Sequence, residues 1–295
     1  MAPQLPIFAD INIYWRCFVK NFTSRQFCYG TRSKAKRTQF TTLLFVLVLF
    51  SNNSSDSQTI IRGTTIFGVI SSQGIVLGAD SRGVSDDDTL HPIVSCKLFQ
   101  FRKTILATGG ISFLGGIDMA TIGNHACLTF GGFKEQLVGV EAITSYSLIG
   151  YAKVLRQMGK MRFLEDTLRN HQTFTVLMVG TRANKPSVAI RGFTLIKSTT
   201  NQDSVSIYRE DLDTLAGNSF KMIAIGKTDH IMSLIGNDST YFFRNPPENS
   251  IANLIKQECH FHERYVAEPI DVVKMSRNGK ISWITPQRDK CKIQD

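Results

Sequence analysis

No CxxC pair occurs among the six cysteines of this 295-residue chain; Cys17, Cys28, Cys96, Cys127, Cys259 and Cys291 stand far apart. Zinc-ribbon and redox-pair spacings are therefore missing, and disulfides are possible but not indicated by any spacing. Cys259-His260-Phe261-His262 gathers ligating residue types, but no further ligands stand nearby and the stretch follows a helical pattern, so no metal or cofactor is expected. The apolar run from Thr41 to Phe50 is shorter than the about 20 residues that cross a bilayer, so a membrane span is not expected there. A long basic run is also missing. The formal charge is +10, and part of it sits in Arg25, Arg32, Lys34, Lys36 and Arg37, while the rest is spread out. Nucleic acid is therefore not an expected partner. None of the six histidines (His91, His125, His171, His230, His260, His262) has a serine or cysteine partner in a recognised pattern, which argues against a conventional Ser-His-Asp hydrolase.

The composition that remains is globular, with 42% hydrophobic and 20% charged residues. Residues 1–62 differ in kind from the rest. Their first forty residues mix Pro, aromatics and basic side chains without a period. The run Thr41 to Phe50 then matches a signal-peptide core with a basic flank, displaced about thirty residues from the usual place. It reads equally as a propeptide element or an interfacial anchor. Ser51 to Ser57 is a polar linker, and Asn52-Asn53-Ser54-Ser55 would accept glycosylation only on the secretory route. The secretory route is open if the run acts as a signal, and the residues leave the compartment otherwise unassigned.

From Thr64 the pattern changes. Thr64 to Ile70 and Ile75 to Ala79 read as strands around the turn Ser71 to Gly74, and Leu98 to Phe101 with Thr104 to Thr108 reads as a second hairpin. Met119 to Leu128 reads as a short helix. Lys134 to Arg169 carries Leu137, Val140, Ile143, Leu148, Tyr151, Val154, Leu155 and Met158 at helical spacing, which predicts one or two long helices. Strands are expected at 173–179, 187–195 and 221–225, a helix at 250–266, and a closing hairpin at 270–275 and 281–284 around Asn278-Gly279. This is an α+β order, suited to two antiparallel sheets packed face to face with helices outside.

Several short segments have two readings each at the level of the residues. Thr64 is a strand residue or a nucleophile. Asp80-Ser81-Arg82 is a turn after a strand or part of a site. Lys97 is a solvated lysine or a charge placed for chemistry, and Gly109-Gly110 is a plain turn or a close approach to a substrate backbone. Gly63-Thr64-Thr65-Ile66 followed by Gly74 to Arg82 resembles the start of a mature proteasome-type β subunit, a self-processing hydrolase of the N-terminal-nucleophile class. The interval from Thr64 to Asp80 equals that family's. Ser95-Cys96-Lys97-Leu98 is similar to its lysine segment with one residue inserted in the loop Gly83 to Pro92, and Thr108-Gly109-Gly110 is similar to its glycine pair. Pro269 to Val273 with Gly279-Lys280-Ile281 is closer to the bacterial proteasome-like branch. The likeness runs over about residues 62–285 and is strong over 63–110. It implies an extension at 1–62, a hydrolase domain at 63–285 and a tail at 286–295.

The resemblance implies a four-layer αββα sandwich of N-terminal-nucleophile hydrolase type and a threonine-type peptidase. In that reading a cut at Gly63–Thr64 exposes Thr64, whose hydroxyl attacks and whose α-amine takes the proton. With a reference pKa of about 7.7–8.0, that amine is partly neutral near physiological pH. Lys97 favours the deprotonated form, and Asp80 offsets and fixes Lys97. The Gly109 N–H would stabilise the oxyanion, with Ser81 and Arg82 in support. Peptides or unfolded proteins would be the substrates and a homo- or hetero-oligomeric ring the assembly, with Leu148, Tyr151, Leu155 and Met158 facing either a neighbouring subunit or the chain's own sheets. The family's late Ser-Gly-Gly-type and Asp/Ser residues have no clear counterparts: Ala216 to Ser219, Ile225 to Thr228 and Ala267 to Pro269 stand there, with Asp271 as a candidate Asp. Two other classes remain open, a non-catalytic ring subunit and a small-substrate amide hydrolase of the same fold.

Overall fold

The computed structural model describes residues 61–62, 64–85, 93–110, 113–114, 117–165, 169, 172–197, 202–213, 220–236, 238, 241–263 and 266–285. The apolar run 41–50, Gly63, most of the inserted loop, Ala216 to Ser219 and the tail 286–295 lie outside the described residues. In chain order the strands β1 (Ile61–Arg62), β2 (Thr65–Ser71), β3 (Gly74–Ala79), β4 (Arg82–Ser85), β5 (Ile93–Val94), β6 (Leu98–Phe101), β7 (Thr104–Gly110), β8 (Phe113–Leu114) and β9 (Ile117–Asp118) come first. Helices α1 (Met119–Thr129), α2 (Phe133–Gln157) and α3 (Met161–Phe163) follow. Then come β10 (Gln172–Arg182), β11 (Lys185–Lys197), β12 (Asp203–Asp213) and β13 (Lys221–Gly226). Helices α4 (Asp229–Ile235), α5 (Tyr241–Arg244) and α6 (Pro247–Phe261) precede β14 (Asp271–Ser276) and β15 (Ile281–Trp283).

The fold is α+β. Two antiparallel sheets of five described strands each run in the orders β13-β2-β3-β14-β15 and β12-β11-β10-β7-β6. Strand alternation explains how the first sheet is buried on both faces. Ile66 and Ile70 of β2, with Ile75 and Leu77 of β3, join Ile105, Ala107, Leu177 and Val179 of the other sheet in one apolar core. The intervening Phe67, Val69 and Val76 point the other way and pack with Ile231, Ile251, Leu254 and Ile255 of α4 and α6. A third core sets Phe101, Leu106, Val176 and Met178 against Ile122, Val140, Leu148, Tyr151 and Leu155 of α1 and α2. Truncating a fully enclosed ring such as Phe67 to Ala would cost roughly 3–5 kcal/mol.

Three differences from the sequence reading have physical causes. Of the one or two long helices expected over Lys134 to Arg169, one forms, and it stops at Gln157, where Gly159 adopts φ +71°. Its N–H donates to the Arg156 carbonyl and that of Lys160 to the Leu155 carbonyl, the double closure of a Schellman motif. The late helix starts at Pro247, whose missing N–H costs nothing in the first turn, and ends at Phe261 rather than Val266. Strand β12 was not expected. It pairs with β11 along its whole length, from Lys197↔Asp203 to Ser187↔Asp213, and its mostly half-exposed side chains left little apolar signal.

Of the four α2-region residues that could face either a neighbour or the chain's own sheets, Leu148, Tyr151 and Leu155 lie in the chain's own core, while Met158 is 54% exposed.

Candidate functional site

Four of the sequence-selected residues converge at one end of the two sheets. Thr64 immediately precedes β2, and Asp80 immediately follows β3. Both hydrogen-bonding groups of the Thr65 backbone turn to Asp80: the Thr65 N–H donates to Asp80 Oδ1 at 2.7 Å, and the Asp80 N–H donates to the Thr65 carbonyl at 3.1 Å. Lys97 precedes β6 in the other sheet, where its carbonyl accepts the Thr108 N–H at 3.1 Å. Its ammonium reaches across to Asp80, Nζ to Oδ1 2.6 Å, with both side chains fully enclosed. Gly109 on β7 lies beside Thr64; a Cβ placed on Gly109 would stand 3.7 Å from Thr64 Cγ2. Thr64 itself is buried.

The Asp80 carboxylate is saturated. Oδ1 accepts from the Thr65 N–H and Lys97, while Oδ2 accepts the Arg82 N–H at 2.9 Å and the Ala267 N–H at 3.4 Å. A carboxylate offers about four acceptor positions, and these four donors fill them. Asp80 thus joins the Lys97 ammonium and the Thr65 N–H on one oxygen, next to Thr64 in the chain.

Ser81 and Arg82 turn away from Thr64 toward the chain between α6 and β14. The Ser81 N–H donates to the Ala267 carbonyl at 3.1 Å and its hydroxyl to the Pro269 carbonyl, while Arg82 Nη1 donates to the Glu263 carbonyl at 2.6 Å. Three contacts to the site had no assigned role in the sequence reading: Thr65, Ala267 and the end of β13. Ile225 to Thr228 and Ala267 to Pro269 had drawn notice only as stretches where supporting residues should stand. Nothing in the residue types of Ala267 or Gly226 announces a contact made through the backbone. Asp271 is buried at the start of β14, opposite Ala79.

Other nucleophile candidates fare poorly. Burial pushes the thiols of Cys127 and Cys259 up to about 12, so neither offers a thiolate at neutral pH. Burial also lowers the pKa of His125. A cavity of about 870 Å³ lies on the α6 side, lined by Arg82, His230, Cys259, Phe261 and Ala267 among others. It shares Arg82 and Ala267 with the Asp80 hydrogen-bond set but does not reach Thr64 or Lys97. Among the described residues, no group of three or more His, Cys, Asp or Glu is arranged to hold a metal.

No family model and no curated protein matches the chain. Solved structures similar to it include an Anbu (Gly-1) mutant from Hyphomicrobium sp. strain MC1, at 11% identity over 78% of this chain and 90% of that one, with a TM-score of 0.43. Anbu from the same strain is similar at 11% identity over 77% and 90%, TM-score 0.40. Anbu from Yersinia bercovieri, described as the ancestral beta-subunit, is similar at 12% identity over 77% and 89%, TM-score 0.38. These are Anbu proteins, a proteasome-like family, and not proteasome β-type subunits, so the identification made from residues 63–110 is corrected. A short motif set carried that identification, and the spatial match at 11–12% identity goes to a different group. Likeness at this level carries no argument about activity.

Proposed function

We propose that the chain is the precursor of a threonine-type hydrolase that cuts its own Gly63–Thr64 bond and then hydrolyses amide bonds in peptides with Thr64. The enclosed Lys97–Asp80 pair, tied through the Thr65 N–H to the residue beside Thr64, is the observation that supports this most strongly. Two charges drawn fully out of water cost several kcal/mol per ion before their attraction is counted, so the pair makes poor sense as a stabilising device. A cation held at a fixed point, tied through Asp80 to the residue after Thr64, makes good chemical sense, because it favours the deprotonated form of its neighbours.

In self-cleavage the Thr64 hydroxyl adds to the Gly63 carbonyl carbon. The Gly63–Thr64 C–N bond breaks, the nitrogen takes up the proton that the hydroxyl gave, and an ester to Thr64 Oγ results. Water then hydrolyses the ester, which frees the Gly63 carboxylate and the Thr64 α-amine. In the mature protein that amine serves as the base for the next substrate, and Gly109 is read as the residue beside which the oxyanion forms. Ser81 and Arg82 hold the chain segment that delivers the Ala267 N–H to Asp80. The two sheets with α1 and α2 on one side and α4 and α6 on the other are read as the αββα sandwich of N-terminal-nucleophile hydrolases. An oligomer that shields the site is part of this reading, supported by Val138, Tyr146 and Ile149, which α2 leaves exposed.

Activity should rise through about pH 7–8 as the α-amine loses its proton. The test is hydrolysis of short fluorogenic peptides and of small acyl amides by the wild type, Thr64→Ser and Thr64→Ala. Peptide hydrolysis lost in Thr64→Ala and retained in part by Thr64→Ser is the expected result. Hydrolysis of small amides alone would replace the peptidase by an amidase. Full peptide hydrolysis by Thr64→Ala would remove Thr64 from the chemistry.

A further inference from the structure

We infer that the end of β13 is a backbone clamp on the nucleophile, with Gly226 and Thr65 as its positioning residues; this rests on the reading of Thr64 as nucleophile. β13 pairs with β2 from Lys221↔Ile70 to Gly226↔Thr65, so its last residue arrives beside Thr64. There the Lys227 N–H donates to the Thr64 carbonyl at 2.7 Å. The return bond runs from the Thr65 hydroxyl to the Lys227 carbonyl. Thr64 and Thr65 are thereby both fastened to the backbone of Lys227, one to its N–H and the other to its carbonyl.

The clamp closes only if residue 226 has no side chain. Gly226 takes φ +82°, a region that residues with a Cβ rarely enter. A Cβ there would stand 1.9 Å from the Thr64 carbonyl oxygen and 2.9 Å from its carbon. Both are backbone atoms and cannot swing aside, so a methyl group would push Thr64 itself. On the other flank, a Cβ at Gly109 would meet Ile225 Cγ2 at 2.8 Å, so β13 and β7 also close on each other around Thr64. Holding Thr64 by its carbonyl sets where its hydroxyl sits relative to Lys97. A misplacement of about 1 Å in such a constellation costs about 10²-fold in rate.

Gly159 supplies a matched control. It takes φ +71° at the end of α2, and a Cβ there would meet nothing within 4 Å, so Gly159→Ala carries the backbone strain without the collision. The experiment follows precursor conversion by intact mass over time in freshly translated full-length wild type, Gly226→Ala, Gly159→Ala, Thr65→Val, Thr65→Ser and Thr64→Ala, with thermal unfolding measured on each. Gly226→Ala should convert about 10²-fold more slowly than wild type, and Gly159→Ala within about twofold. Thr65→Val, which keeps shape and deletes only the hydroxyl bond, should slow conversion by about tenfold, since one such bond is worth about 1 kcal/mol or somewhat more. Thr65→Ser should recover most of that loss. In the mature Thr65 variants the loss should appear in kcat per titrated active site with KM unchanged, whereas general destabilisation would lower the number of active sites and leave kcat per site as in wild type. If Gly226→Ala does not fold, the Thr65 pair decides. Wild-type conversion by Thr65→Val, or equal slowing in Gly226→Ala and Gly159→Ala, overturns the clamp while a blocked Thr64→Ala leaves the nucleophile in place. Conversion of Thr64→Ala at the wild-type rate overturns both.

Discussion

Two parts of the molecule set cations against carboxylates at bonding distance and do so at opposite extremes of solvation. Between the sheets, Lys97 and Asp80 are fully enclosed and 2.6 Å apart. Around the edge strand β12, Arg182 of β10 meets Asp213 at 3.0 Å with side chains 46% and 54% exposed, Lys221 of β13 meets Glu210 at 3.4 Å, and Arg209 meets Glu141 of α2 at 2.8 Å. Exposed pairs contribute about 0–1 kcal/mol each, but charges on an edge strand also discourage unwanted pairing with another chain. The enclosed pair gains far more from mutual attraction and loses most of it to desolvation. Its retention therefore points to placement of charge for chemistry, whereas the outer array points to solubility and register.

The sharpest way to break this contrast is to remove one partner of each kind. Lys97→Met deletes the ammonium and keeps most of the stem, leaving Asp80 its three N–H donors, whereas Asp80→Asn strands an enclosed ammonium. Each should lower peptide hydrolysis by about 10²–10⁴. Each should also cost up to about 3–5 kcal/mol by denaturant titration, with Asp80→Asn the larger because its N–H donors lose an anionic acceptor as well. Full enclosure of both groups is what adds a cost in stability to the cost in activity. Wild-type rates in Lys97→Met would reduce the pair to a structural tie.

Arg191 lies between the extremes. It is itself buried, with Nε 2.5 Å from Glu141 and Nη1 2.7 Å from Asp211, but its partners are partly wet. Arg191→Met should cost roughly 1–3 kcal/mol by the same titration and leave the kcat of the mature protein unchanged.

The smallest effect belongs to the outermost pair. The Ser187 hydroxyl, followed by Arg182, holds the Asp213 carboxyl below its ordinary value against a weaker opposing pull from burial. A depressed folded-state pKa contributes stability above the unfolded value and loses it as pH falls through the folded one. Ser187→Ala should therefore lower stability near neutrality by no more than a few tenths of a kcal/mol, because the group is wet and screened. The deficit should vanish at a pH below both values, and a pH-independent deficit would assign it to packing instead.

Much of this arrangement was legible in the residues themselves. The β-branched run of β2, the Ser71 to Gly74 turn and the Asn278-Gly279 turn each carry local signals strong enough to place their elements. Thr64, Asp80 and Lys97 were not legible from their residue types, since a strand threonine, a turn aspartate and a solvated lysine read the same way; the family resemblance singled them out, and the solved structures match a different family. What escaped acts through the backbone or through edges. The Ala267 N–H, the Lys227 N–H and the φ of Gly226 depend on how distant strands arrive, and no residue type encodes that arrival. β12 escaped because its alternation of Val205 and Ile207 with polar residues is weak, and the energy of an edge strand lies largely in pairing with its neighbour. The end of α2 at Gly159 was readable as a glycine near a helix terminus, but the helical spacing of apolar residues upstream masked it.

N-terminal sequencing of the mature wild-type protein beside Thr64→Ala and Lys97→Met tests the central claim most directly. If the enclosed pair serves Thr64, the wild type begins at Thr64, Thr64→Ala retains the residues before it, and Lys97→Met retains them in most molecules. A wild-type chain that still carries Gly63, or a Thr64→Ala chain cut at the same bond, would contradict it.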